Sequence, residues 1–163
     1  MQVTQEELKR YEELQLLALD FARQGQTSEL KAMLEAKMPI NLCDHKGNSL
    51  LMLAAYHGNE ETTLMLLQMG ACVDQKNDRG QTPLAGVCFK GYFNIVKLLV
   101  QAGANIHENN GLGTTPLFFA SMFGHKQIVQ YLNQQAQHQT FKNRILLALS
   151  SLVHLFRKKP HHP

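Results

Sequence analysis

The sequence predicts an all-α solenoid, a row of short helix pairs stacked side by side. Three observations predict it. Glycines recur every 33 residues, as Gly47, Gly80 and Gly113, as Gly58, Gly91 and Gly124, and as Gly70 and Gly103. Ser49, Thr82 and Thr115 keep that spacing, each two residues after the first glycine column and two before Leu51, Leu84 and Leu117. Leu66, Leu99 and Leu132 form a further column. With such a period each repeat is one supersecondary unit that cannot bury its apolar face alone, so its neighbours must complete the core.

The elements follow in order. Thr4-Gln5-Glu6-Glu7 reads as a capping box, and Leu8, Leu14, Leu16, Leu17, Leu19 and Phe21 continue a helix that Gly25 stops. The charged front of this helix, Glu6 to Glu13, suits an N-terminal cap with one face in water. A second helix is expected over Glu29 to Lys37, closed by Pro39. The next pair is expected at Leu50 to His57 and Glu60 to Met69, and the third at Pro83 to Lys90 and Asn94 to Ala102. The fourth is expected at Pro116 to Phe123 and Lys126 to Asn133. Pro83 and Pro116 fall where a missing N–H costs nothing, and Gly70 and Gly103 supply positive φ after second helices. The units are thus 1–43 (helix and capping repeat), 44–76, 77–109, 110–135 and 136–163.

A 33-residue period with a Gly-x-Thr-Pro-Leu start resembles the ankyrin repeat, over roughly Leu14 to Gln135. The resemblance implies an α-solenoid of four repeats with an N-terminal helical extension and a C-terminal capping helix. It departs from the usual pattern after Thr-Pro-Leu, where Met52, Ala85 and Phe118 replace the usual His. Gly86 is a second oddity, since a mid-helix Gly costs about 1 kcal/mol relative to Ala. Its column partner Phe119 suggests a packing trade, the ring filling space that Gly86 leaves, and the alternative is local looseness in the third repeat.

Past Gln135 the period fades. Gln134 to Gln139 reads as a polar linker, and Thr140 as the cap of a last helix to about Lys158. Phe141, Ile145, Leu146, Leu149, Leu152, Val153 and Phe156 give that helix an apolar face about half its circumference wide, broader than the roughly 100° stripe of a surface helix. This helix is expected to cap repeat four, a reading taken over docking of a partner or contact with a membrane surface.

Composition bounds the function. The 163 residues, 44% hydrophobic and 18% charged, suit one soluble domain. Three scattered cysteines, a polar start and no apolar run near 20 residues point to a cytoplasmic protein. The net charge of +3 is unevenly spread, for no acidic residue follows Glu108, whereas Lys126, Lys142, Arg144, Arg157, Lys158 and Lys159 do. Such segregation suits an anionic partner or surface, or a solubilising basic tail. Motifs of catalysis, nucleotide binding and zinc binding are missing, so no enzyme, cofactor or metal site is expected. The cations lack a groove-reading motif, so nucleic acid is not expected either.

In ankyrin proteins the interaction residues usually lie just before the Thr-Pro-Leu start and just before the mid-repeat glycine. Carried to this chain, the loop positions are His45, Lys46, Asn48, Lys76, Asp78, Arg79, Gln81, Leu112 and Thr114. The helix-end positions are Arg23, Tyr56, His57, Phe89, Lys90, Met122 and Phe123. Rings at positions expected to be wet, bordered by Lys46, Lys76, Arg79 and Lys90, fit a protein partner with apolar and acidic groups. Similarity in size to small stand-alone bacterial ankyrin proteins, some associated with catalases, extends the expectation to a catalase-type partner. The alternative is a haem- or metal-handling accessory protein using Cys43, His45 and His57.

Overall fold

The computed structural model describes residues 4–157, with side chains through Ser150. The expected basic tail from Lys158 onward, with His161 and His162, lies outside the described residues, as do the side chains of Leu152, Val153, His154, Leu155 and Phe156. Eight helices follow one another among those described: α1 Gln5–Gln24, α2 Thr27–Glu35, α3 Leu50–Tyr56, α4 Glu60–Gln68, α5 Pro83–Lys90, α6 Phe93–Gln101, α7 Pro116–Met122 and α8 Lys126–Arg157. Extended pairing among the described residues is limited to an isolated bridge between Cys43 and Ser49.

The polar columns of the sequence are helix starts. Ser49, Thr82 and Thr115 each accept a hydrogen bond from the backbone N–H three residues on, at 3.1, 3.3 and 3.2 Å. This satisfies one of the free donors of α3, α5 and α7. Thr4 and Glu7 make the reciprocal capping box at α1, Thr4 N–H donating to Glu7 Oε2 at 2.8 Å and Glu7 N–H to Thr4 Oγ1 at 3.2 Å.

The leucine columns are the core. First helices pack in one row, α1 on α3 on α5 on α7, and second helices in another, α2 on α4 on α6 on the start of α8. Leu50, Leu66, Leu84 and Leu99 are wholly buried between the rows. Thr27 and Thr62 share a hydroxyl–hydroxyl bond of 2.7 Å, which ties α2 to α4 without leaving a buried polar group unpaired.

Consecutive repeats are also latched at the ends of their first helices. The side chain of Asn59 donates to the carbonyls of Ala22 and Arg23, both at 3.0 Å. One repeat pair on, His125 Nε2 donates to the Phe89 carbonyl at 3.1 Å. These latches explain Gly91: its φ is 82°, and a Cβ there would stand 2.5 Å from the His125 ring.

Three expectations change. The linker over Gln134 to Gln139 is helical, and α8 runs unbroken through it. The reason lies in the 33-residue register, where Ala136 replaces the glycines at 70 and 103 that end earlier second helices. The Gln and Ala residues between Asn133 and Thr140 favour helix, so nothing stops propagation. Thr140 is no cap, its hydroxyl instead bonding the Ala136 carbonyl at 3.0 Å.

The cap expected from Thr140 onward is likewise not formed by the described residues. Ile128 and Leu132, near the start of α8, bury against the stack, whereas every side chain from Gln137 to Ser150 is exposed. Finally, Gly86 makes room for a different ring. A Cβ on Gly86 would meet Tyr56 Cδ2 at 3.3 Å and Met52 Sδ at 3.5 Å, both from the preceding repeat, whereas Phe119 is not among its near neighbours.

Candidate protein-binding groove

The loop tips owe their shape to two side-chain oxygens, one from the Asp44 carboxylate and one from the Asn77 carboxamide. Asp44 Oδ1 accepts from the backbone N–H of Lys46 and Asn48, both at 2.9 Å. Thirty-three residues on, Asn77 Oδ1 accepts from Arg79 and Gln81 N–H, both at 3.0 Å. Each Asx side chain closes its own turn, and the turns are joined in series. Asp78 N–H donates to the Lys46 carbonyl at 3.0 Å, and Asn77 Nδ2 to Asn48 Oδ1 at 2.9 Å.

Between these tips and the ends of the first helices lies a groove of about 600 Å³. Ten of the sequence-predicted residues line it: Arg23, His45, Lys46, Asn48, Tyr56, His57, Asp78, Arg79, Gln81 and Phe89. Its lining also includes Met52, Leu53, Gly86 and Phe119, which the sequence reading did not assign to the site. The absent side chain at Gly86 lets Tyr56 lie down beside α5.

The rings form a ladder along the stack. Tyr56 and Phe89 lie nearly parallel, 6.4 Å between centroids and 12° between planes. Phe89 meets Phe123 edge-on at 4.5 Å and Phe119 at 6.4 Å, and Phe119 in turn meets Phe118 at 5.9 Å. Tyr56 and Phe89 are each 37% exposed and Phe123 46%, so the ladder is neither core nor free. Phe118 and Met122 extend the apolar surface at 45% and 56%. Phe118 is absent from the sequence-derived set because it follows Thr-Pro-Leu, outside the positions that the resemblance gives to binding; its column partners Met52 and Ala85 are buried.

Charge borders the ladder. Arg23 is shared between Asp20 at 2.7 Å and Asp44 at 3.1 Å. Burial is the largest influence on Asp44 and raises its pKa. The hydrogen bonds from Asn48, Lys46 and Arg23 together outweigh it and hold the carboxyl below the usual range. Lys46 and Arg79 take part in none of the four ion pairs among the described residues, so their charge is left facing solvent. Lys90 sits over the Tyr56 ring at 5.2 Å and the Tyr92 ring at 5.8 Å.

The remaining predicted positions are not among the groove-lining residues, though Phe123 joins the ladder through Phe89. Lys76 is engaged by Glu108 at 2.7 Å and by the Asn109 carbonyl at 3.2 Å. Leu112 stands 87% exposed on its loop. Thr114, Met122 and Phe123 belong to the last repeat, beyond the groove lining.

Cys43, His45 and His57 are not gathered into a ligand set, since no group of three or more His, Cys, Asp or Glu residues among those described could hold a metal. Burial, followed by the Asp44 and Asp78 carboxylates, pushes the Cys43 thiol up and disfavours the thiolate a metal would need. His57 Nδ1 is occupied by the Leu53 carbonyl at 2.8 Å. Cys88 is buried and its thiol is pushed up to about 12, in keeping with a packing role.

The family model of ankyrin repeats in many copies matches this chain three times, at residues 18–67, 51–100 and 85–132. A Pseudomonas aeruginosa protein named for its ankyrin repeats is 54% identical over 43 residues, 26% of this chain and 25% of that protein. Human oxysterol-binding protein-related protein 1 is 41% identical over 78 residues, 47% of this chain and 8% of that protein. Its rat counterpart is 40% identical over 73 residues, again 8% of its length. The chain thus spans about a quarter or less of these relatives. With the matched repeats running from residue 18 to residue 132, this chain belongs to the ankyrin-repeat family.

Proposed function

We propose that this chain is a non-catalytic binding module that holds a partner protein in the concave groove, as ankyrin repeats generally bind proteins. The observation that carries the reading is the half-exposed ladder Tyr56–Phe89–Phe123 beside the unpaired cations Lys46 and Arg79. A partner segment that sets an apolar side chain on the rings and a carboxylate near the cations would satisfy both. Rings at such positions act as anchors, while charges at the rim speed encounter.

The proposed cellular setting is the bacterial cytoplasm, and the first candidate partner is a catalase-type protein, on the resemblance in size and repeat character alone. The test is affinity capture from lysate of the source organism with the intact chain and with a Tyr56→Ser/Phe89→Ser variant as baits. A protein recovered by the first and not the second supports the groove. Equal recovery by both baits would move the binding face elsewhere.

A further inference from the structure

Among the described residues, the second half of α8 buries no side chain against the stack. Helix α8 is 32 residues long, yet its side chains are exposed from Gln137 through Ser150. At about 1.5 Å per residue, the part beyond Ala136 projects roughly 30 Å. Its surface is apolar where a free helix should be polar. Phe141 is 63% exposed, Ile145 45%, Leu146 63% and Leu149 55%. At about 100° per residue, Phe141, Ile145 and Leu149 fall within one narrow stripe, which Leu146 widens on one side. Arg144 borders the stripe beside Phe141, and Lys142 stands within it, between Leu149 and Leu146.

From this arrangement we propose that the distal half of α8 lies on an anionic lipid surface, apolar stripe down, with Lys142 and Arg144 reaching its headgroups. Charge decides between the occupants. No acidic residue follows Glu108, so two copies pairing through α8 would bring cations together with no carboxylate on either helix to offset them. An anionic bilayer meets the same cations favourably, and their aliphatic stems can lie along the stripe while the charged ends stay at the headgroups. No helix among the described residues is long and apolar enough to cross a membrane, so the contact lies along the surface. The groove is built from residues before α8, so it would remain open to its own partner.

Vesicle flotation of the intact chain tests this. Phosphatidylcholine mixed with phosphatidylglycerol should retain the protein, on the order of tenfold more than phosphatidylcholine alone. An Ile145→Glu/Leu149→Glu variant should lose that retention. A Lys142→Gln/Arg144→Gln variant should weaken it by on the order of tenfold, and high salt should do the same. Both variants alter exposed positions, so their melts should match the parent and separate loss of docking from loss of fold. No retention on mixed vesicles, or equal retention on neutral ones, would overturn the proposal. So would light scattering that shows a dimer broken by the Glu variant without vesicle binding, which would assign the stripe to a second copy. None of these outcomes depends on the groove, whose own test is affinity capture.

Discussion

Lys37 is the non-glycine residue with positive φ among the described residues, at 75°, and it occupies the column that glycine fills at 70 and 103. Holding a side chain in the left-handed region costs about 1 kcal/mol or more. Lys37→Gly should therefore stabilise the protein, by about 0.5–1 kcal/mol after the added freedom of the unfolded chain is subtracted. A urea melt that shifts the other way would mean the Lys37 side chain earns its place through contacts. Asp44 makes the opposite prediction. Its folded pKa is depressed, so its contribution is present above the unfolded value, which model carboxylates put near 3.8, and is lost as pH falls through the folded one. Asp44→Asn should remove that pH dependence and cost about 1–3 kcal/mol at neutral pH, because Arg23 and two backbone N–H groups lose a charged acceptor. Stability titrations of both proteins from neutral to acid pH would check it. Asp44 and Asn77 entered the sequence reading only as the first residues of their repeats, because their task of closing the turns depends on φ/ψ that residue type alone does not fix.

Helices were read from the sequence wherever a glycine, proline or hydroxyl column punctuated them. The Ser49, Thr82 and Thr115 caps and the Gly91 stop carry a local mechanism, so local residues disclose them. The middle of α8 was misread for the complementary reason: a polar run suggests a linker, but nothing over Gln134 to Gln139 breaks a helix, and Ala136 stands where glycine ends earlier second helices. With every described side chain from Gln137 through Ser150 exposed, deleting residues 141–163 should leave the thermal midpoint within about 2 °C, since surface changes rarely exceed 0.5 kcal/mol. A large drop in a calorimetric melt would restore the capping role. Helix α5 offers a second test. Gly86→Ala gains about 1 kcal/mol of helix propensity but sets a methyl 3.3 Å from Tyr56, a half-exposed ring that can swing outward. Stability by urea melt should hold or rise slightly, while partner affinity falls because the ring ladder is displaced. Which ring Gly86 serves could not be read from the 33-residue columns. They align Gly86 with Phe119, whereas the contact crosses to Tyr56 in the repeat before.

At the scale of the whole molecule, two surfaces with different duties share one stack. The buried leucines between helix rows hold the repeats together, so Leu99→Ala, at a fully buried site in the middle, should cost about 2–5 kcal/mol in a urea melt. The ring ladder faces the groove, and under the proposed function it serves binding rather than this core. Periodicity made the stack legible, because every buried column repeats. The groove was legible only in outline, since its depth comes from Gly86, Met52 and Leu53, whose columns do not repeat in kind. Phe89 stands at the centre of the ladder, touching Tyr56, Phe119 and Phe123, and so separates the two duties most sharply. The decisive measurement is surface plasmon resonance of Phe89→Ser against the captured partner, paired with its circular dichroism melt. The account predicts a loss of about 2 kcal/mol or more in affinity, mostly as faster dissociation, with the melt little changed. Unaltered binding by a variant that melts much earlier would contradict it and return Phe89 to the core.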